Sequence, residues 1–333
     1  MSLTLHSPMD MHLHLRDGEM MENVVAYTAR DFAGAMVMPN LLPPVTTKEQ
    51  VESYRERIKK ACNDTTFEPY MTLFLKEVLT PEFLQDVKKS IIAVKLYPSG
   101  VTTNSDTGLA SIDTEKLRPT LEAMAELDIP LSIHGETNGF VMDREKEFMP
   151  IFEDLASKFP KLKVMMEHIS SKEAVATLDK FDNLYATVTV HHLLLTLDDV
   201  IGGMLQPHSF CKPIIKTPAD RDAIQEAVLS GHKKMMFGSD SAPHARATKE
   251  RTGGSAGAFT APVALPALAE FFDTHGKLDL MQAFVSDNAC RIYGLTPPDK
   301  TVVLEKGEFV VPEMIGDVVP LFAGKTLGFR VKK

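Results

Sequence analysis

The sequence predicts a (β/α)8 barrel with a short C-terminal extension, forming one domain over residues 1–333. Three observations lead there. Apolar runs of strand length alternate with stretches of helical period almost to the end of the chain. Eight such pairs can be counted, and their strands read as continuous apolar runs, as strands covered on both faces do. Residues capable of chemistry fall at the carboxyl end of strand after strand, where a barrel gathers its site. Two domains would be the default at this length, but α/β barrels routinely run this long as one. A doubly wound open sheet would be favoured by a glycine-rich phosphate loop, and neither GxGxxG nor GxxxxGKS occurs.

The first strand is PMDMHLHL, in which alternation puts Asp10, His12 and His14 on one face and Met11, Leu13 and Leu15 on the other. A weaker helix around ENVVAYTARD follows. GAMVMPN precedes TTKEQVESYRERIKKAC, where Val51, Tyr54, Ile58 and Ala61 mark one helix face behind a threonine cap. FEPYMTLFL precedes TPEFLQDVKKS, IIAVKLYP precedes DTEKLRPTLEAMAELD, and PLSIHGE precedes REKEFMPIFEDLASKFP. LKVMMEHIS precedes SKEAVATLDKF, and LYATVTVHH leads through an irregular piece to PADRDAIQEAVLSG. KKMMFGSDSAPH precedes TAPVALPALAEFF, and a last helix and a few short strands close the structure.

A formal charge of −9 argues against nucleic acid or an anionic membrane surface as partner, and it requires a local positive site for any anionic substrate. Cys62, Cys211 and Cys290 lie far apart and form no CxxC pair, which fits a reducing cytoplasm and gives no sign of a thiolate zinc site. The N-terminus has no basic leader or apolar segment, and no apolar run approaches membrane-spanning length.

His12 and His14 fall late in the first strand, Lys95 late in the fourth, and His134, His168 and Asp240 at the ends of the fifth, sixth and eighth. Four imidazoles and a carboxylate exceed what one Zn²⁺ needs; two ions would use them all if one more ligand bridged the pair. Lys95 is unusual within an apolar run. Either its ammonium pairs with a nearby carboxylate, or burial lowers its pKa and the neutral amine captures CO2, giving a bridging carbamate. The planar fork of Arg16, on the same face one step beyond His14, suits a carboxylate unless a loop carboxylate pairs with it. Of the adjacent His191 and His192 at most one is expected to face inward, and neither is read as a metal ligand. Cys211 reads as packing material.

MHLHLRDG, VMPN, VKLYP, SIHGE, EHIS and GSDSAPHA, in this order, resemble the amidohydrolase superfamily and within it the dihydroorotase family, over nearly the whole chain. HxH with a later Asp is shared across the superfamily; HLHLRDG with MPN, KLYP and DSAPH is much more specific. With HxH beginning at residue 12, the resemblance is to the short, stand-alone type, with no room for the strand-rich segment that precedes HxH in hydantoinases and allantoinases. It implies two zinc ions per subunit: His12, His14, Lys95 and Asp240 around one, and Lys95 as its carbamate (N6-carboxylysine), His134 and His168 around the other. It implies that Arg16 and Asn40 bind the substrate carboxylate, that His244, Ala256 and the backbone near Lys212 make further contacts, and that Thr102 and Thr103 lie on a mobile loop. The activity implied is reversible cyclisation of N-carbamoyl-L-aspartate to (S)-dihydroorotate in pyrimidine (UMP) synthesis. A metal-bridging hydroxide would be the nucleophile in ring opening and Asp240 the general base, in a cytoplasmic homodimer. The competing readings are a cyclic amidase acting on hydantoins or allantoin, which would need no carboxylate anchor, and a non-catalytic relative, which should have lost metal ligands.

Overall fold

In a computed structural model, which describes residues 2–64 and 66–332, the eight expected strands form one parallel sheet in sequence order. They are β2 (Met9–Leu13), β3 (Gly34–Val37), β4 (Glu68–Phe74), β5 (Ala93–Leu96), β6 (Leu131–Ile133), β7 (Val164–Met166), β8 (Leu184–Val188) and β9 (Met235–Phe237). The sheet curls until its first and last strands meet. The Asp240 amide donates to the His12 carbonyl at 2.8 Å, and the His14 amide to the Ser241 carbonyl at 3.0 Å. Helices stand between the strands, as the alternation requires. Thr47 caps Lys48–Cys62 in a capping box with Gln50, and Val51, Tyr54 and Ile58 are the buried face of that helix.

Met9 and Met11 of β2 pack with Met36 of β3, Met165 of β7 and Met236 of β9; β7 lies far from β2 and β3 in the sheet order, so this cluster fills the barrel interior. Leu13 and Leu15 belong instead to the larger apolar layer shared with the helices. The register of β2 against β3 shifts between Asp10 and Leu13. The strict alternation expected of PMDMHLHL is therefore broken: an irregularity re-aims the strand just where His12 stands, a common placing beside functional sites.

A second, three-stranded antiparallel sheet joins β1 (Ser2–His6) to β10 (Thr301–Val310) and β11 (Thr326–Val331), in the order β1-β10-β11. The sequence reading left residues 2–6 without an element, although SLTLH alternates; its partner lies some three hundred residues away, at Thr301–Glu305. Leu5, Leu304 and Phe329 share the main apolar layer with the barrel.

Candidate active site

His12, His14, His134, His168 and Asp240 line one pocket at the carboxyl ends of the strands, together with Arg16, Asn40, Thr102, Thr103, Lys212 and Ala256. Lys95 lies fully buried in β5, its ammonium 4.9 Å from the centre of the Tyr97 ring, which also lines the pocket. His244 stands beside it, its Nε2 2.9 Å from Arg16 Nη2 and 3.0 Å from the Ala256 carbonyl.

Hydrogen bonds on the far side of each ring decide which nitrogens face the pocket. His12 Nδ1 lies 2.7 Å from Glu167 Oε2, a fully buried carboxylate that also accepts from Ser132 and Thr187. His14 Nδ1 donates to Asn40 Oδ1 at 2.8 Å, and His134 Nε2 to Glu136 Oε2 at 2.7 Å. Each bond fixes a tautomer and leaves the other nitrogen as a lone pair. Those of His12 and His14 face Asp240 Oδ1, at 3.5 and 3.1 Å. That of His134 faces His168 Nε2 at 3.1 Å. Burial lowers the pKa of His14 to about 4 and pushes His134 and His168 down as well, so these rings are neutral ligand donors at pH 7. Burial alone would raise Asp240, but the His14 and His12 imidazoles beside it outweigh that and hold the carboxyl well below its usual range.

Three site residues have left-handed backbone: Arg16 at φ 63°, His168 at φ 39° and Asp240 at φ 42°. For a residue with a Cβ this costs roughly 1–2 kcal/mol, and such strain clusters where geometry serves function. Arg16 thus reaches the pocket through a turn rather than by continuing the strand face. Gly238 shows how tight the closure is, since a Cβ there would stand 2.9 Å from the Cβ of His12.

Lys95 has no hydrogen-bond partner and, among the described residues, no carboxylate within ion-pair distance. Burial lowers its pKa to about 8, so an appreciable share is neutral amine near pH 7–8. Arg16 is not paired with Asp17 either. That carboxylate accepts from Arg57 at 2.9 and 3.0 Å and caps Gly18–Asp31. Arg16 spends its Nε–H on the Pro243 carbonyl at 3.2 Å and keeps donors free toward the pocket. Asn40 does more than the reading foresaw: besides holding His14 it donates to the Thr103 carbonyl at 3.0 Å, and Thr103 Oγ1 reaches the Ala256 carbonyl at 3.3 Å. The Thr102–Thr103 loop is thereby latched across the pocket.

Residues 9–295 match the family model described as amidohydrolase. A dihydroorotase of Helicobacter hepaticus is 45% identical over 338 residues, covering all of this chain and 98% of the relative. The chain belongs to the dihydroorotase family. Among solved structures, a dihydroorotase from Campylobacter jejuni superposes with a TM-score of 0.95 at 50% identity, over 100% of this chain and 98% of that one. A Saccharomyces cerevisiae dihydroorotase in complex with 5-fluoroorotic acid superposes with a TM-score of 0.93 at 34% identity, over 99% and 98%.

Within this dihydroorotase-family site, the sequence reading missed Glu167 and Glu136, the carboxylates that orient His12 and His134. Their signals were present in EHIS and IHGE, where an acid sits beside a histidine at the end of an apolar run. One expectation is overturned. His191 and His192 do not continue a strand; β8 ends at Val188 and Thr189 caps a short helix, Val190–Leu194. On a helical turn adjacent side chains need not oppose one another, and both imidazoles are buried, at 0% and 3% exposure.

Proposed function

We propose that this chain interconverts N-carbamoyl-L-aspartate and (S)-dihydroorotate, in pyrimidine synthesis, at the pocket lined by His12, His14, His134, His168 and Asp240. One observation carries the reading: unsaturated ligand lone pairs and a guanidinium with free donors share that pocket, and a cyclic amide bearing a carboxylate needs both. The donor set fits metal. His12 Nε2 and Lys95 Nζ are buried with no hydrogen-bond partner, and the ligand atoms of His12, His14 and Asp240 lie within 4.8 Å of one another. His12, His14 and Asp240 would hold one zinc ion and His134 and His168 a second, with Lys95, as its carbamate, serving both. Such ions supply a nucleophile ionised at neutral pH and polarisation of the scissile carbonyl.

The protein's own part is proton transfer and anchoring. Asp240, ionised, takes the nucleophile's proton in ring opening and delivers it to the leaving ring nitrogen; in closure it begins protonated, so closure is favoured at lower pH. Arg16 grips the substrate carboxylate, Asn40 and the neutral His244 complete that end, and the Thr102–Thr103 loop, Ala256 and the Lys212 backbone enclose the ring. Burial together with the Arg16 charge lowers His244 to about 3, so it adds no second positive charge. The reading takes the barrel and small sheet as one domain and the enzyme as a cytoplasmic homodimer. The shared apolar layer and the three free cysteines support the first two points, and light scattering tests the third.

Turnover of dihydroorotate by the zinc-loaded protein, with hydantoin and allantoin alongside, tests the substrate; activity on the neutral rings alone would discard the anchor. Arg16→Gln should lower kcat/KM by roughly 10–150-fold, mostly through KM, because a charge-assisted carboxylate bond is worth about 1.5–3 kcal/mol. An unchanged KM would remove Arg16 from the anchor. Glu167→Gln keeps the volume but replaces the acceptor of the His12 Nδ1–H bond with a neutral amide. Zinc affinity, measured by competition with a chelator, should fall about 10–100-fold. Undiminished affinity would show that Glu167 orients nothing.

A further inference from the structure

His191, His192 and Cys211 form a second cluster of ligand atoms, all within 4.8 Å of one another and separate from the His12, His14 and Asp240 group. All three side chains are buried. We infer that they bind an additional metal ion of the zinc class, in a closed structural site beside the catalytic pocket.

The strongest sign is His191. Neither of its ring nitrogens has a hydrogen-bond partner, although the residue is fully buried. A buried imidazole offering nothing to its N–H or its lone pair is a rare and unfavourable arrangement, and a metal ion would satisfy the lone pair. Burial also lowers the pKa of His191 to about 4, so the ring is neutral and can act as a ligand. The other donors are close by. Cys211 Sγ lies 3.9 Å from His192 Nε2, and the Pro213 carbonyl oxygen lies 2.9 Å from that nitrogen and 3.3 Å from the sulfur. Two imidazoles and a thiolate make a borderline-soft set suited to Zn²⁺ or Co²⁺, with the carbonyl as a fourth ligand. On binding, the Cys211 thiol proton leaves to solvent, and the His192 Nε2–H···O bond gives way to coordination. Thr189 Oγ1, 2.9 Å from His192 Nδ1, then accepts the proton on that nitrogen and holds the ring.

The site would have a task. His191 and His192 lie on the short helix after β8, and Cys211 immediately precedes Lys212, which lines the pocket. The ion would tie that helix to the segment carrying Lys212, and with every position filled from the chain it would leave none for substrate. This holds whatever the catalytic pocket acts on.

The test is full-length protein produced with cobalt in place of zinc. The Cys62→Ser/Cys290→Ser variant has Cys211 as its only thiol. It should show the near-ultraviolet thiolate-to-cobalt charge-transfer band of the wild type, and Cys211→Ser should lose that band together with one equivalent of metal. A variant whose sole thiol is Cys211 and which lacks the band would overturn the proposal even if Cys211→Ser failed to fold. Equal metal content in wild type and folded Cys211→Ser would overturn it too.

Discussion

Asp240→Asn is expected to lower kcat for ring opening and closure by about 10²–10⁴-fold, the usual worth of a positioned general acid–base group. Asparagine is the informative substitution. It tolerates the left-handed backbone that Asp240 adopts, where alanine would add strain, and it keeps an oxygen in reach of His14 Nε2. What it loses is the ability to take up a proton. Metal content measured on the same preparation separates loss of an ion from loss of the proton carrier. A variant with full metal and kcat within tenfold of wild type would remove Asp240 from proton transfer. KM should move little, because in this reading Arg16 and His244, not Asp240, contact the substrate carboxylate.

The convergence of His12, His14, Lys95, His134, His168 and Asp240 was legible because strand ends can be read from apolar runs, and a barrel sends strand ends to one side. The local geometry was not. The break in β2 between Asp10 and Leu13, and the left-handed backbone of Arg16 and Asp240, arise where β2 and β9 close the barrel; that of His168 follows β7. That long-range contact has no local signature. Glu167 illustrates a second limit. As a lone acid in an apolar run it could be a ligand, an ion-pair partner or an orienting group. Only the positions of His12, Ser132 and Thr187, from three other strands or strand ends, decide that it orients. The strand Ser2–His6 was hidden for the same reason: its pairing partner is at the other end of the chain.

These features share an energetic pattern. Left-handed residues, a partnerless buried lysine and the unpartnered buried nitrogens His12 Nε2 and His168 Nδ1 all work against the stability of the metal-free fold. The wide apolar layer shared by barrel, helices and small sheet offsets them. A site of this kind should therefore be more sensitive to metal removal than the barrel around it.

Lys95→Met separates these two sides of the balance. Methionine fills a similar volume without a charge, so it should remove the penalty of burying an ammonium that has no partner. The fall of the Lys95 pKa from its ordinary 10.5 to about 8 corresponds to roughly 3 kcal/mol against the folded state. The sign follows from proton counting. Between about pH 8 and 10.5 the unfolded chain binds the proton and the folded chain does not, so stability rises with pH through that window, and the penalty is full below pH 8. Metal-free Lys95→Met should accordingly melt several degrees above metal-free wild type at pH 7, with the gap closing as pH rises toward 10.5. Activity should move the other way, falling at least roughly 10³-fold, because the proposed carbamate would be lost with the amine that would carry it. A variant that is both less stable at pH 7 and still active would show that Lys95 is ordinary packing in β5. Greater stability with full activity would leave the burial argument standing and rule out the carbamate.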